Sequence, residues 1–416
     1  MNILFLHQNF PGQFRHLAQH LAVQEGWNVI GLGDARNTRA RKVGERLQVL
    51  TYRHEDTRGG AHPYLLGLEA RVRRGQSVLR ALVALRKKGF VPHIVCVHPS
   101  WGEALFVKEV FPKARLLAYC EFYYHATGAD VGFDAEFTAA SLDEQCQLRL
   151  RNMTNLMAVS ECDRGWSPTR WQADRFPAAL QGKITVLHDG IDTALARPAD
   201  GGGSFEWQGR RFASGEPIVT FVARNLEPYR GFHVFMRALP RILREHPRAD
   251  VFIVGGDEVS YGRAPAAGGS WRAALLAEVG ERIASARVHF TGRLPHDAYL
   301  RLLQVSGAHV YLTYPFVLSW SMLEAMACGC ALVASATAPV VEVIEDGVNG
   351  LLFDFFDTDA LADKVGAVLA DPASHTAMRA AARATIVEKY DLATICLPAQ
   401  VALLRDLAQD DGAPPQ

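Results

Sequence analysis

The stretch Val310-Tyr-Leu-Thr-Tyr-Pro-Phe-Val-Leu-Ser-Trp-Ser-Met-Leu-Glu-Ala-Met-Ala-Cys-Gly-Cys-Ala-Leu-Val-Ala334 decides how the chain is read. The apolar run Ala308 to Leu312 has strand length and leads into a short loop around Pro315. A helix is expected from about Ser321, closing at Cys328-Gly329, with a second strand at Ala331 to Ala334. Strand, loop, helix N-terminus and strand together present backbone N–H groups to an anion. Glu324 falls in the first turn of that helix.

The same alternation continues on both sides of this stretch. Strands are expected at Ile218–Val222, Val251–Val254, Val288–Phe290 and Leu351–Phe353, separated by helices such as Phe232–Glu245 and Asp297–Gln304. In the first half they are expected at Ile3–Leu6, Val29–Leu32, Gln48–Tyr52, Ile94–Val97, Leu116–Cys120, Leu156–Val159 and Thr185–Leu187. Strands alternating with helices imply parallel sheets covered on both faces. The expected fold is α/β: two doubly wound, Rossmann-like domains facing a cleft, with a C-terminal helix able to cross back to the first. The boundaries follow composition. Residues 1–198 form the first domain, the Gly-rich stretch 199–210 a linker, 211–390 the second domain, 391–409 a helix and 410–416 a disordered tail.

Composition narrows the function. The chain has 416 residues, enough for two domains, and 44 basic against 44 acidic side chains. That balance gives no global field for nucleic acid, so no nucleic-acid partner is expected. Seven cysteines without a C-x-x-C pair read as reduced thiols in a cytoplasmic protein. The opening run Asn2–Leu6 is too short for a signal peptide, and no apolar run is long enough to span a membrane. Residues 71–88 carry Arg71, Arg73, Arg74, Arg80, Arg86, Lys87 and Lys88 around an apolar stripe. A solvated basic helix face fits this pattern, and so does a peripheral contact with the inner membrane face.

In doubly wound sheets ligands sit at the carboxyl ends of strands. After the first strand comes His7-Gln-Asn-Phe-Pro-Gly12, where Gly12 either lets backbone approach a phosphate or simply makes a turn. After the first strand of the second half, Arg224 and Arg230-Gly231 flank a loop ahead of a helix. Arginine forks suit a diphosphate, although surface arginines bonding loop carbonyls are an equal reading. Gly292 and Arg293 end another strand and could meet a base. Ser321-Met-Leu-Glu324 matches a capping box, yet the same carboxylate could accept two ribose hydroxyls. At first-domain strand ends stand His98 with Glu103, and Glu121 with His125, without metal-ligand spacing.

Together these pieces resemble the retaining group 1 (family 4) glycosyltransferases of GT-B fold. The resemblance is carried by Val186-Leu-His-Asp-Gly-Ile-Asp192, Arg224, Arg230-Gly231, Phe290-Thr-Gly-Arg293, Leu323-Glu-Ala-Met-Ala-Cys-Gly329 and Val341-Glu-Val-Ile-Glu-Asp-Gly347-Val-Asn-Gly350. It implies a nucleotide-diphosphate sugar as donor, a glycan, lipid-linked or small-molecule acceptor, and neither a metal nor a further cofactor. It places Arg224 and Arg230 on the diphosphate, Gly292 and Arg293 on the base side and Glu324 on the ribose. Glu121, or His125, takes the place of a first-domain histidine that faces the donor sugar. His98 and Glu103 fall on the acceptor or sugar side. The family's first glutamate, a sugar contact, is replaced here by Phe316. Val317-Leu-Ser319-Trp320 stands where a glycine-rich segment is usual, with Ser319, Trp320 and Ser321 on the donor side. Two other readings are a nucleotide-sugar-binding protein without transfer, motivated by Phe316, and a nucleotide-sugar epimerase.

Overall fold

The computed structural model describes residues 1–39, 41–43, 47–55, 62–137, 141–283 and 285–409. The tail expected at 410–416 lies outside the described residues. The chain divides into two compact units. One comprises Met1–Ala126, Ala140–Asp189 and Ala393–Gln416; the other comprises Thr127–Ala139 and Gly190–Leu392.

The first unit is built on an eight-stranded sheet. Its strands are β1 (Asn2–Leu6), β2 (Asn28–Asp34), β3 (Arg41–Val43), β4 (Leu47–Tyr52), β5 (Ile94–Val97), β6 (Arg115–Tyr119), β7 (Arg164–Ser167) and β8 (Ile184–Val186). Their spatial order is β3-β4-β2-β1-β5-β6-β7-β8, parallel except where β3 joins β4. The central strands are apolar on both sides because both faces are covered. Leu4, Leu6, Val95 and Val97 pack on Val78 and Leu82 of the helix Leu66–Lys87. Ile3, Phe5 and Cys96 point the other way, onto Leu17 and Leu21 of the helix Arg15–Val23 and onto Leu404 and Leu407. The last two belong to the helix Leu397–Gln409, so the C-terminal helix does return to the first sheet.

The second unit holds a six-stranded, fully parallel sheet preceded by a hairpin. The hairpin is β9 (Ser204–Trp207) and β10 (Arg210–Ala213). The sheet strands are β11 (Ile218–Asn225), β12 (Asp250–Gly256), β13 (Val288–Gly292), β14 (Ala308–Tyr311), β15 (Ala331–Ser335) and β16 (Leu351–Phe353), in the order β13-β12-β11-β14-β15-β16. The hairpin falls largely in the stretch expected to be a linker. It folds because Phe205 and Phe212 both set their rings edge-on against Phe252, at 5.4 and 4.9 Å.

Two further local expectations change. Leu156–Val159 is helical, inside Met153–Glu161, where Thr154, Asn155, Ala158 and Val159 form the buried face. The strand is supplied instead by Arg164–Ser167. A four-residue apolar run does not by itself separate the two periodicities. Residues 127–137 lie within the boundaries expected for the first domain yet pack with the second unit. Tyr229 donates its hydroxyl to Asp130 at 3.1 Å, Tyr314 donates to Asp134 at 2.7 Å, and Arg237 forks onto Glu136 at 2.7 and 2.8 Å. This segment has no periodicity to announce it, only acidic residues whose partners lie about a hundred or more positions away.

In each sheet the strand order reverses beside the first strand, between β1 and β5 and between β11 and β14. Loops leaving such a pair turn to opposite faces and leave a crevice at the carboxyl ends. Gly231 closes the loop after β11 at φ +64°, and an added Cβ would lie 2.2 Å from Leu312 Cβ. Gly231→Ala is therefore expected to cost about 2–5 kcal/mol from left-handed strain and overpacking together. A urea titration reads this as a lowered midpoint. Gly182→Ala, with open space around it, should stay within about 0.5 kcal/mol.

Candidate active site

At the first unit's reversal point, His7 follows β1 and His98 follows β5, their rings 5.3 Å apart. His7 receives the Asn9 N–H on Nδ1 at 2.9 Å, which leaves Nε2 to donate to Gln13 Oε1 at 2.7 Å. Gln13 then donates its amide to Glu121 Oε1 at 2.6 Å. His98 accepts the Ser100 N–H on Nδ1 and donates from Nε2 to the other Glu121 oxygen at 3.1 Å. Its ring stacks on Trp101 at 4.0 Å. Three strand ends thus converge on one carboxylate, whose side chain remains 25% exposed. Burial alone would raise the Glu121 pKa, but the His98 hydrogen bond and charge, His7 and Gln13 outweigh it and hold the group below the ordinary carboxylate range. Gly12 lies beneath this relay at φ +48°, and a Cβ there would meet the His7 ring at 2.5 Å. Only glycine fits.

At the second unit's reversal point the loops after β11 and β14 are tied by Arg230. Its Nη1 donates to Thr313 Oγ1 at 2.8 Å and to the Val317 carbonyl at 3.0 Å, and the residue is buried. Arg224, at the end of β11, is exposed and has no side-chain partner among the described residues. The loop after β14 ends at Ser319, which caps the helix Trp320–Ala327 by accepting the Ser321 N–H. The loop after β12 is fastened by Glu227, which is fully buried. Its carboxylate accepts the backbone N–H groups of Ser260, Tyr261 and Gly262 at 3.0–3.3 Å. From the end of β13, Arg293 reaches Asn225 Oδ1 at 2.8 Å and Glu258 at 2.6 Å, and Gly292 turns the chain at φ +66°.

The expected residues separate into groups. Arg224 and Arg230 lie at and after the end of β11, and Ser319, Trp320, Ser321 and Glu324 lie on the loop and helix after β14, with Gly292 and Arg293 at the end of β13, two strands from β11. Glu324 is not the last member of a capping box. The cap is Ser319, which puts Glu324 in the second turn, and its carboxylate instead accepts from His296 Nε2 at 2.8 Å. Phe316 is buried edge-on against Tyr229 and Tyr261, at 5.7 and 5.0 Å. Gly12, His98 and Glu121 come together in the first unit. His125 turns away and donates to the Arg175 carbonyl at 2.7 Å. None of the Glu103 side chain reaches solvent. It accepts from Tyr52 at 2.7 Å, and burial raises its pKa despite Arg74. Arg71, Arg74 and Arg86 of the basic helix donate to the carbonyls of Ser100, Trp101 and Val110. Sequence reasoning missed His7, Gln13, Glu227 and Tyr261. His7 was findable from its place directly after β1; the others carry no local signal.

Among the described residues, no group of three or more His, Cys, Asp or Glu side chains could hold a metal ion. No helix among them is long and apolar enough to cross a membrane.

Comparison with known proteins gives a consistent picture. Residues 25–196 match the glycosyl transferase family 4 group, and residues 205–385 match glycosyl transferases group 1. A glycogen synthase of Mycobacterium tuberculosis is 29% identical over 213 residues, covering 51% of this chain and 46% of that protein. The chain thus spans about half the length of the curated relatives it matches. Among solved structures, sucrose-phosphate synthase from Thermosynechococcus elongatus superposes with a TM-score of 0.74 at 18% identity, over 98% of this chain and 99% of that one. Anabaena HepE in complex with UDP-glucose gives 0.64 at 16%, over 98% and 99%. These likenesses establish the fold as the GT-B type.

The relay makes a pH prediction. Burial, reinforced by His98, lowers the His7 pKa from 6.5 to about 3. The folded state therefore keeps His7 neutral while the unfolded chain protonates near 6.5. Its stabilisation is complete above pH 6.5 and is lost as pH falls from there toward 3. The His7 Cε1–H resonance is expected not to titrate between pH 8 and 5. A midpoint near 6.5 would refute the buried neutral tautomer.

Proposed function

Because the chain belongs to the group 1 glycosyltransferases, we propose that it moves a sugar from a nucleotide-diphosphate sugar to an acceptor hydroxyl with retained anomeric configuration. The observation that carries this reading is the crevice between β11 and β14. Arg224, without a side-chain partner among the described residues, stands beside loops braced by Arg230 and a helix N-terminus capped by Ser319. Departure of a nucleoside diphosphate places developing negative charge on oxygen. A preorganised guanidinium and helix N-terminus stabilise that charge without reorganising at the moment of reaction. The sugar left behind resembles an oxocarbenium ion, as in glycoside hydrolysis.

The remaining roles follow from position. Arg230 acts on the diphosphate directly or through the loops it ties. Glu324, released from any capping task, accepts the ribose hydroxyls, and Gly292 with Arg293 borders the base. Glu121, an ionised and partly exposed carboxylate held by His98 and Gln13, serves the reacting sugar or acceptor in the first unit. His98 orients it, and Gly12 gives the relay its room. Glu103 and His125 support neighbouring structure rather than substrate. No metal is assigned a part. UDP-sugars are the first donors to try, since a structural neighbour was solved with UDP-glucose. A glycan, a lipid-linked saccharide or a small metabolite remains the acceptor class. Peripheral contact with an anionic membrane belongs to the same proposal and rests on exposed Arg80, Lys87 and Lys88.

Incubation with UDP-, GDP- and ADP-sugars and an acceptor mixture should release nucleoside diphosphate in step with glycosylated product. NMR of that product reads its anomeric configuration. Binding without turnover would favour a nucleotide-sugar-binding protein; isomerised donor without acceptor would favour an epimerase. Arg224→Ala is expected to lower kcat/KM by about 100-fold or more. Its unfolding midpoint should stay unchanged, because the side chain is exposed and has no partner among the described residues. Unaltered turnover would remove Arg224 from the mechanism.

A further inference from the structure

We infer that Tyr261 is the sugar-binding platform of this donor site, a specificity-determining residue that meets the apolar face of the transferred sugar. The inference rests on the donor-site reading given above. Tyr261 belongs to the loop after β12, and Glu227 pins that loop by its backbone at three successive N–H groups. Tyr261 as a residue is 37% exposed, unlike the buried Tyr229 and Phe316 beside it. Its centroid lies 5.0 Å from that of Phe316 and 5.2 Å from the Arg230 guanidinium carbon.

This placement selects the sugar over the base. The loop touches the β13 side through Glu258 on Arg293, while Ser260 accepts from Asn225 at the end of β11. The Tyr261 ring is turned toward Arg230 and Phe316, which belong to the loops after β11 and β14. With the base at β13 and the diphosphate at β11 and β14, the Tyr261 ring, carried onto Phe316 of the loop after β14, stands at the end of the donor away from the base. Pyranose rings carry C–H groups on one face, and the negative face of an aromatic ring attracts their positive edge. Phe316 is occupied in supporting Tyr261 and offers no hydrogen bond, so recognition at this point is by stacking. The Glu227 clamp fixes the platform before the ligand arrives, which lowers the ordering cost of binding.

Calorimetric titration of the full chain tests this with UDP and UDP-glucose, GDP and GDP-mannose, and ADP and ADP-glucose. Tyr261→Ala should weaken the nucleotide sugar that wild type binds by about five- to tenfold and the matching nucleoside diphosphate by less than about twofold. Tyr261→Phe should stay within about twofold of wild type on both. Tyr261→Leu keeps the packing on Phe316 without an aromatic face, and should lose as much as Tyr261→Ala. Equal weakening of sugar and diphosphate, or wild-type affinity in Tyr261→Leu, would overturn the inference while leaving the donor site in place. Wild type binding none of the nucleoside diphosphates would overturn the donor site and this inference together.

Discussion

The hydrogen bonds from Arg230 to Thr313 and to the Val317 carbonyl hold together what the second unit's sheet topology pulls apart. β11 and β14 are neighbours, yet their outgoing loops serve helices on opposite faces. Without a tie, the crevice between them would have no defined width. A guanidinium suits the task, because its planar fork offers several donors in fixed directions and remains charged when buried. The consequences extend along both loops. Arg230 is held one residue before Gly231, whose positive φ starts the helix Phe232–Glu245. Val317 is held two residues before Ser319, whose side chain caps the helix Trp320–Ala327.

Glu227 does for the loop after β12 what Arg230 does for its neighbours. A fully buried carboxylate is costly unless its oxygens are satisfied, and here successive backbone N–H groups satisfy them. One acidic side chain thereby places an otherwise irregular stretch against the crevice. The first unit repeats the principle with histidines. His7 and His98 each take a backbone N–H on Nδ1, which sets the tautomer and aims Nε2 along the relay. Both units therefore use buried polar atoms for positioning, while Glu121 and Arg224 remain open to solvent.

Much of this architecture can be traced in the chain before any coordinates. Leu4 and Leu6 alternate with Ile3 and Phe5 in a run that reads as a covered parallel strand, and it is one. Arg224 and Arg230 also stand at and just after the end of the strand expected to carry them. The capping box is different. Ser321 and Glu324 have the spacing, but Ser319 is an equally good cap and its loop geometry takes the role, so Glu324 is left to pair with His296. Leu156–Val159 has too few residues to show a period. Residues 127–137 have none at all, and their allegiance is set by tyrosines, a histidine and an arginine far along the chain.

The sequence by itself determined the class of fold, two doubly wound sheets, the return of a final helix pattern, and the strand ends that carry arginine. These features are written in spacings of two, three and four residues, which any local window contains. Only the tertiary structure decided which side chains face one another. Gln13 meets Glu121 across 108 positions, and Ser260 meets Glu227 across 33. Such pairs are chosen by topology, by the room a glycine leaves and by the cost of burying an unsatisfied charge. No local periodicity records them.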